Sequence, residues 1–332
     1  MNLRLHPKPE PPWLMLPAAG DSPQHLAVAD FYSFSDGRRR SITLPSPAIQ
    51  SRMWIGSAKG WLVTTDDKCG LHLLNPISGT QHSLPSITTT GYFDALPRTD
   101  ASFVETYWPE GHTRFVGWCS DIEISAEEIR SSRLLKAVPL WDPSSGEYFI
   151  MMMHCPRNRF MSRDEDGLPL YIRKYLAESP NGNLMLILRE HSTDRCDSES
   201  DDDVTAIEEE NDKDNYNAAH KSTTTAMIRS RSLSLNPIQQ GSEWREVHDF
   251  GGASIFIGSN SATFFLSDRI PGLGADCIYF TEDNLSFFWD RKQMPRDIGV
   301  FDLKAKVMKP MPLPGVHMKS WPPQIWVTPS ML

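Results

Sequence analysis

The chain contains 332 residues, of which 39% are hydrophobic and 10% are aromatic, and this composition is sufficient for a large hydrophobic core. It also contains 26 prolines and 20 glycines, and this abundance of chain-reversing residues favours an all-β fold. The formal net charge of -9 resides in residues 192–217, so the rest of the chain is formally neutral, which argues against a nucleic-acid-binding surface.

Neither export nor membrane insertion is indicated. The chain has no run of about 18 apolar residues, the length that a membrane-spanning helix needs. Residues 1–12 carry four prolines and no apolar stretch, so we predict a disordered N-terminal segment there and no secretory signal. No membrane partner is therefore expected.

The cysteines are odd in number and far apart in the sequence. No Cys-x-x-Cys pair is present to hold a metal or to form a redox disulfide. His154-Cys155 also has no further Cys or His at metal-ligand spacing. We therefore expect no metal, no cofactor and a reducing compartment, the cytoplasm or the nucleus. The five cysteines are Cys69, Cys119, Cys155, Cys196 and Cys277.

The first β unit predicted along the chain is a hairpin between Phe31 and Pro45. Phe31–Phe34 and Ser41–Leu44 are rich in apolar and β-branched residues. Asp36-Gly37 lies between them, and Asp-Gly is a strong reversal signal in β-hairpins.

A small antiparallel meander is predicted next, with strands at Trp61–Thr65, Leu71–Leu74 and Gln81–Leu84. The turn from Asn75 to Gly79 has a physical mechanism, because Asn can cap its own backbone, Pro presets φ and Gly tolerates a positive φ. Three short strands cannot bury two faces alone, so this unit requires neighbouring units of the same kind.

The sequence signals for secondary structure are weaker between residues 86 and 190. Ser86–Thr113 is polar with weak periodicity, which predicts a loop with one strand, and Ser125–Arg130 is compatible with a helix. Asp142-Pro143 with Gly146 repeats the pattern of the Asn75 turn, and Asn181-Gly182 predicts another hairpin. The strands predicted here are Arg114–Cys119, Tyr171–Glu178 and Leu184–Arg189.

Residues 192–225 break this pattern. The segment has few aromatic residues and a high charge, so it cannot bury enough apolar surface to offset its ordering entropy, and we predict a disordered acidic insertion. Ser198 and Ser200 precede acidic residues, and Ser232 follows arginines. These three serines are candidate phosphorylation sites, although motifs this short arise often by chance.

Short strands resume after the insertion. Strands that recur with short turns indicate a radial repeat, which removes exposed sheet edges by closing on itself. With about 40 to 50 residues per blade, the sequence predicts an all-β β-propeller of six or seven blades, formed by a single domain at residues 13–332 that the insertion interrupts. The strands predicted here are Trp244–Val247, Ser254–Gly258, Thr263–Leu266, Cys277–Phe280, Ile298–Leu303 and Val307–Pro310.

Several motifs in combination carry a family resemblance. One is the run from Asp276 to Thr281. The other motif residues are Trp54, Gly56, Gly60, Trp61, Leu62, Asn75, Pro76, Gly79, Trp321, Pro322, Pro323 and Trp326. In combination these motifs resemble the KIB-type β-propeller of plant F-box/Kelch-like proteins, from about Trp13 to the end of the chain. The motifs are structural, so the resemblance implies no catalytic residue.

The resemblance implies a substrate receptor of a Skp1–cullin–F-box ubiquitin ligase. An F-box is a helical module of a few dozen residues, and only a dozen proline-interrupted residues precede the first motif. We therefore expect no F-box here and no binding of a Skp1-type adaptor. An unidentified protein is the partner that this interpretation predicts.

Two further interpretations compete with a protein-interaction propeller. The tryptophans could line a ligand site, but aromatic residues in strands more commonly pack between blades. No Gly-x-Ser-x-Gly, phosphate-binding loop or paired-carboxylate context is present, so no enzyme is expected. The alternative function is a hydrolase or lectin-like propeller with a small-molecule or carbohydrate site in its central channel, which convergent polar residues would favour.

Overall fold

The computed structural model describes residues 10–16, 26–96, 102–107, 120–142, 147–154, 162–163, 169–192, 228–233, 244–283, 298–311 and 324–330. These ranges contain 23 strands in six sheets, with helical structure limited to single turns. The chain divides into two compact units. The first comprises Met1–Arg159, Ala177–Asn183 and His248–Leu332, and the second comprises Phe160–Leu176 and Leu184–Val247. The single-domain assignment stays a prediction.

The first sheet joins the two ends of the chain. Its order is β23-β1-β2-β3, and Met15 of β1 pairs with Ile325 of β23 in antiparallel register. The predicted Asp-Gly hairpin is present between β2 and β3, where Gly37 has a φ of 66°. The strands are β1 (Trp13–Leu16), β2 (Val28–Ser33), β3 (Arg38–Thr43) and β23 (Ile325–Val327).

The second sheet is the predicted meander, extended by one strand. Residues 53–58 also pair, so the sheet has four strands in sequential order where the sequence predicted three. The Asn75 turn forms as its mechanism requires. The Asn75 side-chain oxygen accepts hydrogen bonds from the backbone N–H groups of Ile77 and Ser78, at 3.0 and 3.1 Å. The strands are β4 (Met53–Ala58), β5 (Trp61–Thr65), β6 (Leu71–Leu74) and β7 (Gln81–Ser83).

The third sheet corrects the sequence prediction for residues 86–113, which contain two strands and not one. They have three and six residues, and so short a run gives little periodicity to read. The helix-compatible run forms α1 (Ala126–Glu128), whose first turn is capped by the Ser125 hydroxyl. The Arg114–Cys119 strand prediction lies outside the described residues. The strands are β8 (Phe93–Ala95), β9 (Ser102–Tyr107) and β10 (Ser120–Ser125).

The fourth sheet pairs β11 (Leu134–Asp142) with β12 (Glu147–His154) in antiparallel register. One face of this pair is buried. Ile150 and Met152 pack beside Ala137 against the core that the second and third sheets share.

The second compact unit contains a five-stranded sheet in the order β13-β14-β15-β16-β17. The predicted Asn-Gly hairpin joins β14 to β15, and Gly182 there has a φ of 78°. Except for Ser192, the predicted insertion at 192–225 lies outside the described residues. The strands are β13 (Ser162–Arg163), β14 (Pro169–Glu178), β15 (Leu184–Ser192), β16 (Ile228–Leu233) and β17 (Trp244–Glu246).

The last sheet, in the order β19-β18-β20-β21-β22, contains a parallel pair that the sequence did not predict. Ile255 of β18 pairs with Ile278 of β20 in parallel register, because β19 and a turn intervene before the chain returns. Asp276 fixes the return, since its carboxylate accepts hydrogen bonds from the backbone N–H groups of Phe250 and Gly252. The strands are β18 (Ala253–Ile257), β19 (Thr263–Leu266), β20 (Cys277–Phe280), β21 (Gly299–Asp302) and β22 (Val307–Pro310).

Within the first unit, neighbouring sheets share hydrophobic cores. Phe31 and Trp54 belong to the core between the first and second sheets. Trp326 and Phe256 belong to the core between the first and last sheets, where their rings meet edge to face at 4.9 Å. Successive side chains of a strand point to opposite faces of its sheet, so neighbouring residues of one strand pack in different cores.

Candidate functional site

Three segments of the first unit converge on β4. Gly56 in β4 lies against β11 so closely that a Cβ atom there would overlap the carbonyl oxygen of Ala137. The next residue, Ser57, forms a parallel bridge with Asn260, and its hydroxyl donates to the carbonyl of Trp326 in β23. Glycine at position 56 is what allows this approach, since any side chain would push β4 and β11 apart.

Polar residues gather where these segments meet, and the parallel pair explains why. Because β18 and β20 run in the same direction, the residues that follow each strand lie at one edge of the sheet. Asn260 follows β18, and Thr281 follows β20 directly. A Cβ atom at Gly258 would contact side-chain oxygens of both residues. We refer to the buried or half-buried polar residues at this edge and on β4 and β11 as the inner polar cluster: Ser57, Lys136, Ser259, Asn260, Thr281, Glu282 and Asp283.

The cluster is held mainly through the backbone. The Lys136 ammonium group donates to the carbonyl of Gly258 at 2.9 Å, and the Ser261 N–H donates to the carbonyl of Ser57 at 2.7 Å. The Asn260 amide nitrogen donates to the carbonyls of Phe256 and Ser261, at 3.1 and 2.7 Å. These bonds fix the positions of the Lys136 and Asn260 side chains.

Two buried amides of the first unit have side-chain atoms without a hydrogen-bond partner in the described residues. The side-chain oxygen of Asn260 is one, and the side-chain oxygen and nitrogen of Gln324, which precedes β23, are the others. A buried polar group left unpaired costs about 1–3 kcal/mol. A water molecule or a polar ligand would remove that cost here.

The cluster also carries acidic charge. Glu282 and Asp283 are consecutive and only 1% and 7% exposed. Buried carboxylates are costly unless cations or hydrogen-bond donors compensate them, and Lys136 supplies the cation of this cluster. Within the described ranges, no group of three or more His, Cys, Asp and Glu side chains is arranged to hold a metal ion.

Among the motif residues singled out from the sequence, those described lie in the core and at turns. Trp54, Trp61, Leu62 and Trp326 are buried, and Gly56 makes the close approach to β11. Tryptophans 54, 61 and 326 therefore pack between sheets, while the side chains of Trp141 and Trp244 are not described. Pro76 lies within the Asn75 turn that Gly79 closes with a φ of 72°.

Two of the motif residues hold the C-terminal segment. The Asn75 side-chain nitrogen donates to the carbonyl of Ser330 at 3.1 Å. Gly60 has a φ of 87°, and a Cβ atom there would overlap the Ser330 side chain. Asn75 and Gly60 are 255 and 270 residues from Ser330 in sequence, so neither contact could be read from the sequence pattern.

Other predicted site residues are placed only in part or not at all. Seven of them lie outside the described residues: Trp118, Cys155, Ser198, Ser200, Trp321, Pro322 and Pro323. Ser232 belongs to β16, where its backbone pairs with Arg245 of β17. His154 ends β12, and its side chain is not described.

A Cys, His and Asp lie near one another in the second sheet, but the thiol is inert. Burial raises the pKa of Cys69 to about 12, and its Sγ donates to the carbonyl of Ala126 at 3.3 Å. A protonated, hydrogen-bonded thiol is not a nucleophile near neutral pH. His72 instead contacts the carboxylate of Asp66, its Nε2 lying 3.0 Å from Oδ2.

The inner polar cluster was missed from the sequence. The available signal was a polar residue directly after each of two apolar strands, Ser259 after Gly258 and Thr281 after Phe280. That signal becomes informative only if the two strands are parallel, and the pattern of short strands predicted a propeller built from short antiparallel meanders.

The amino-acid sequence of the chain matches a family model. The KIB1-4 β-propeller model matches residues 31–167 and 162–302, which together cover most of the chain. The chain belongs to the KIB1-4 β-propeller family. Membership confirms the predicted resemblance and the all-β propeller fold. In this KIB1-4 propeller, the inner polar cluster lies where the sheets of the first unit converge.

Other comparisons add little. No curated protein matches this KIB1-4 propeller. Among solved structures, it is similar to the crystal structure of the tricorn protease, with 11% sequence identity and a TM-score of 0.21, over 85% of this chain and 24% of that chain. A likeness at this TM-score carries no argument. No helix in the described ranges has the length and apolar character needed to cross a membrane.

Proposed function

We propose that this chain is a non-enzymatic protein-interaction propeller of the cytoplasm or the nucleus, similar to the substrate-binding half of plant F-box proteins, whose link to ubiquitin-ligase substrate recognition does not run through a Skp1-type adaptor. The observation that supports the proposal is membership of the KIB1-4 propeller family. The described motif residues pack in cores and turns, so they serve the scaffold, and function resides in the loops and strand edges that the scaffold presents.

The absence of an enzyme activity is part of this proposal. Cys69 is buried and protonated, and its hydrogen bond to Ala126 holds it in the core. The Asp66 carboxylate is occupied by the His72 ring and by the backbone N–H groups of Lys68 and Gly70. Both groups have structural partners in the described part of the chain, so neither supports a catalytic role.

The test is affinity purification of the tagged full chain from cells, with and without proteasome inhibition, followed by mass spectrometry. We expect a protein that co-purifies at near-stoichiometric amounts and accumulates when the chain is depleted. Recovery of no protein partner, together with saturable binding of a sugar or an ester, would overturn the proposal.

A second function is favoured by one specific observation, the buried side-chain oxygen of Asn260 in the inner polar cluster, which has no hydrogen-bond partner in the described residues. We propose a small polar molecule or a carbohydrate as the ligand of that alternative. Thermal-shift screening of the full chain against sugars and polar metabolites tests it, with Asn260→Ala as the variant that abolishes any shift. A ligand that stabilises both chains equally would exclude this site.

A further inference from the structure

The strand β3 buries little surface in its sheet. Within the described part of the chain only β2 pairs with it, and none of its six residues is buried. Its one apolar residue, Ile42, is half-buried against the core that contains Phe31. Arg40 lies 4.7 Å over the ring of Trp13, which is a weak contact at an exposed site. A strand with so little buried apolar area belongs to the parts of a fold that open most readily.

The contacts on either side of β3 confine such an opening to the strand itself. Before β3, the Gly37 N–H donates to the carbonyl of Ser33 at 3.0 Å and closes the turn. After β3, Leu44 is buried, and its N–H donates to the carbonyl of Ala27 at 2.8 Å. Alternate residues of β2 are buried, so β2 keeps its own place in the sheet. We therefore expect β3 to detach locally as an extended segment.

Ser41 is the fourth residue of β3, and its side chain is exposed. Its hydroxyl donates to the carboxylate of Asp30, the residue of β2 with which it pairs. An arginine, Arg38, lies three positions before it. Basophilic protein kinases select a serine with an arginine at this distance, because acidic groups of the kinase bind the guanidinium. Ser41 therefore combines exposure, an extended backbone and a basic flank.

We propose that Ser41 is a phosphorylation site for a basophilic protein kinase, which acts on β3 when this strand opens from its sheet. In the reaction, the Ser41 Oγ bonds to the γ-phosphorus of ATP, the bond from that phosphorus to the β–γ bridging oxygen breaks, and ADP leaves. The hydroxyl proton passes to the catalytic aspartate of the kinase. This inference concerns a modification of the chain, and it holds whichever partner the chain binds.

The modification would change the pairing of β2 with β3. A phosphate carries about −1.5 to −2 charges near neutral pH, and here it would stand opposite the carboxylate of Asp30. The hydrogen bond from the Ser41 hydroxyl would be lost, and like charges directly opposite in a sheet are destabilising. Phosphorylation therefore weakens the sheet pairing at this position.

The experiment treats the full chain with Mg-ATP and the catalytic subunit of cyclic-AMP-dependent protein kinase, and maps the modified sites by mass spectrometry. We expect incorporation at Ser41, at an initial rate within about a hundredfold of that of an isolated peptide of residues 34–46. Arg38→Gln should lower the initial rate by at least about tenfold in the chain and in the peptide. Circular dichroism establishes that each variant chain is folded.

Asp30→Ala tests the opening step. This substitution removes the acceptor of the Ser41 hydroxyl and lies outside the segment that the peptide contains. We expect it to raise the initial rate of the folded chain by about threefold, because one hydrogen bond that holds β3 closed is lost. The matched control is Asp67→Ala, which removes the same charge at an exposed position in another sheet and should leave the rate unchanged.

Four results would overturn the inference. Phosphorylation of the peptide but not of the folded chain would show that β3 stays closed. Phosphorylation of neither would show that the arginine flank is not recognised. Equal initial rates for the parent chain and Asp30→Ala would exclude an opening step that the Ser41 hydrogen bond controls. Incorporation at Ser232 alone would place the basophilic site on β16 and not on β3.

Discussion

Arg52 is a buried cation that organises the loop ahead of the second sheet. Its guanidinium donates to the carbonyls of Pro45 and Pro47 and to the side chain of Gln81, each at 2.8 Å. Burial lowers the pKa of Arg52 below its ordinary value, although the charge of Asp66 acts in the opposite direction. The side chain thus satisfies loop carbonyls that would otherwise be buried without donors.

Replacing Arg52 with Met should lower the free energy of unfolding by about 2–3 kcal/mol, because several buried acceptors lose their donors at once. Urea denaturation of the two chains measures this difference. Arg38→Met is the control, since a substitution at this exposed position should stay within about 0.5 kcal/mol. Equal effects at the two positions would show that Arg52 contributes only apolar packing.

Asp66 gives the second sheet an acid-sensitive turn. Burial raises the pKa of this carboxyl, but hydrogen bonds from His72, Gly70 and Lys68 outweigh burial, so the pKa lies below its ordinary value. A depressed pKa contributes stability that is present above the unfolded value, about 3.9, and is lost as pH falls through the folded value.

Asp66→Asn should therefore flatten the loss of stability with acidification below about pH 4. The measurement is the denaturation midpoint at pH values from neutral down to that range, for the parent chain and the variant. Asp67→Asn, at the exposed neighbouring position, should leave the slope unchanged. A parent chain and Asp66→Asn with parallel profiles would contradict the assignment.

At the scale of elements, the C-terminal segment is fastened to two turns of the second sheet. Gly60 ends the β4–β5 connection and Asn75 begins the β6–β7 connection, and both contact Ser330. Ser57 adds a third contact through the carbonyl of Trp326. The second sheet thus anchors the strand that completes the first sheet.

Gly60→Ala should destabilise the fold by at least about 2 kcal/mol, because the new methyl group meets Ser330 and the backbone there has a positive φ. Gly79→Ala is the matched control, since Gly79 also has a positive φ but no atom within 4 Å of an added Cβ. The difference between their thermal midpoints isolates the contact with Ser330, and Ser330→Gly should restore part of it. Identical midpoints would mean that backbone strain alone matters.

The hairpins were predictable because their determinants are local. Asp36-Gly37, Asn75-Pro76 and Asn181-Gly182 each specify a turn within a few residues, and each turn lies where the sequence predicted it. The parallel pair of β18 and β20 depends on where a chain returns after a turn, which periodicity does not encode. The position of the inner polar cluster follows from that parallel pairing, so the cluster could not be predicted from the sequence either.

At the scale of the whole molecule, the two chain ends share one sheet. Trp13 pairs with Val327, so β23 closes the edge of β1 that would otherwise stay open. Closure of this kind makes the first sheet dependent on both termini. It also explains why buried tryptophans occur at Trp13 and Trp326, at opposite ends of the sequence.

We expect that the acidic segment at residues 194–217 can be removed without breaking the fold, because the strands that flank it pair with each other. Arg189 of β15 pairs directly with Ile228 of β16, so the two ends of the connection are fixed side by side by their own ladder. Loop-closure free energy changes by only about 0.6 kcal/mol for each doubling of loop length. Shortening the connection should therefore change stability little.

Deleting Asp194–Asn217 should leave the thermal midpoint within a few degrees of the parent chain, while the formal net charge rises from -9 to zero. Solubility near neutral pH should fall, because a chain without net charge has lost its mutual repulsion. Thermal melts and precipitation assays of the two chains measure both effects. As a control for charge, a chain that keeps the length but carries Asn or Gln at the acidic positions and Gln in place of Arg195 and Lys213 has the same net charge as the deletion, and it should precipitate like the deletion and melt like the parent. A midpoint that falls by many degrees in the deletion but not in the charge-matched chain would show that the segment packs against the folded chain. The charge-matched chain separates the two effects, because it keeps the length of the segment and loses only its charged groups.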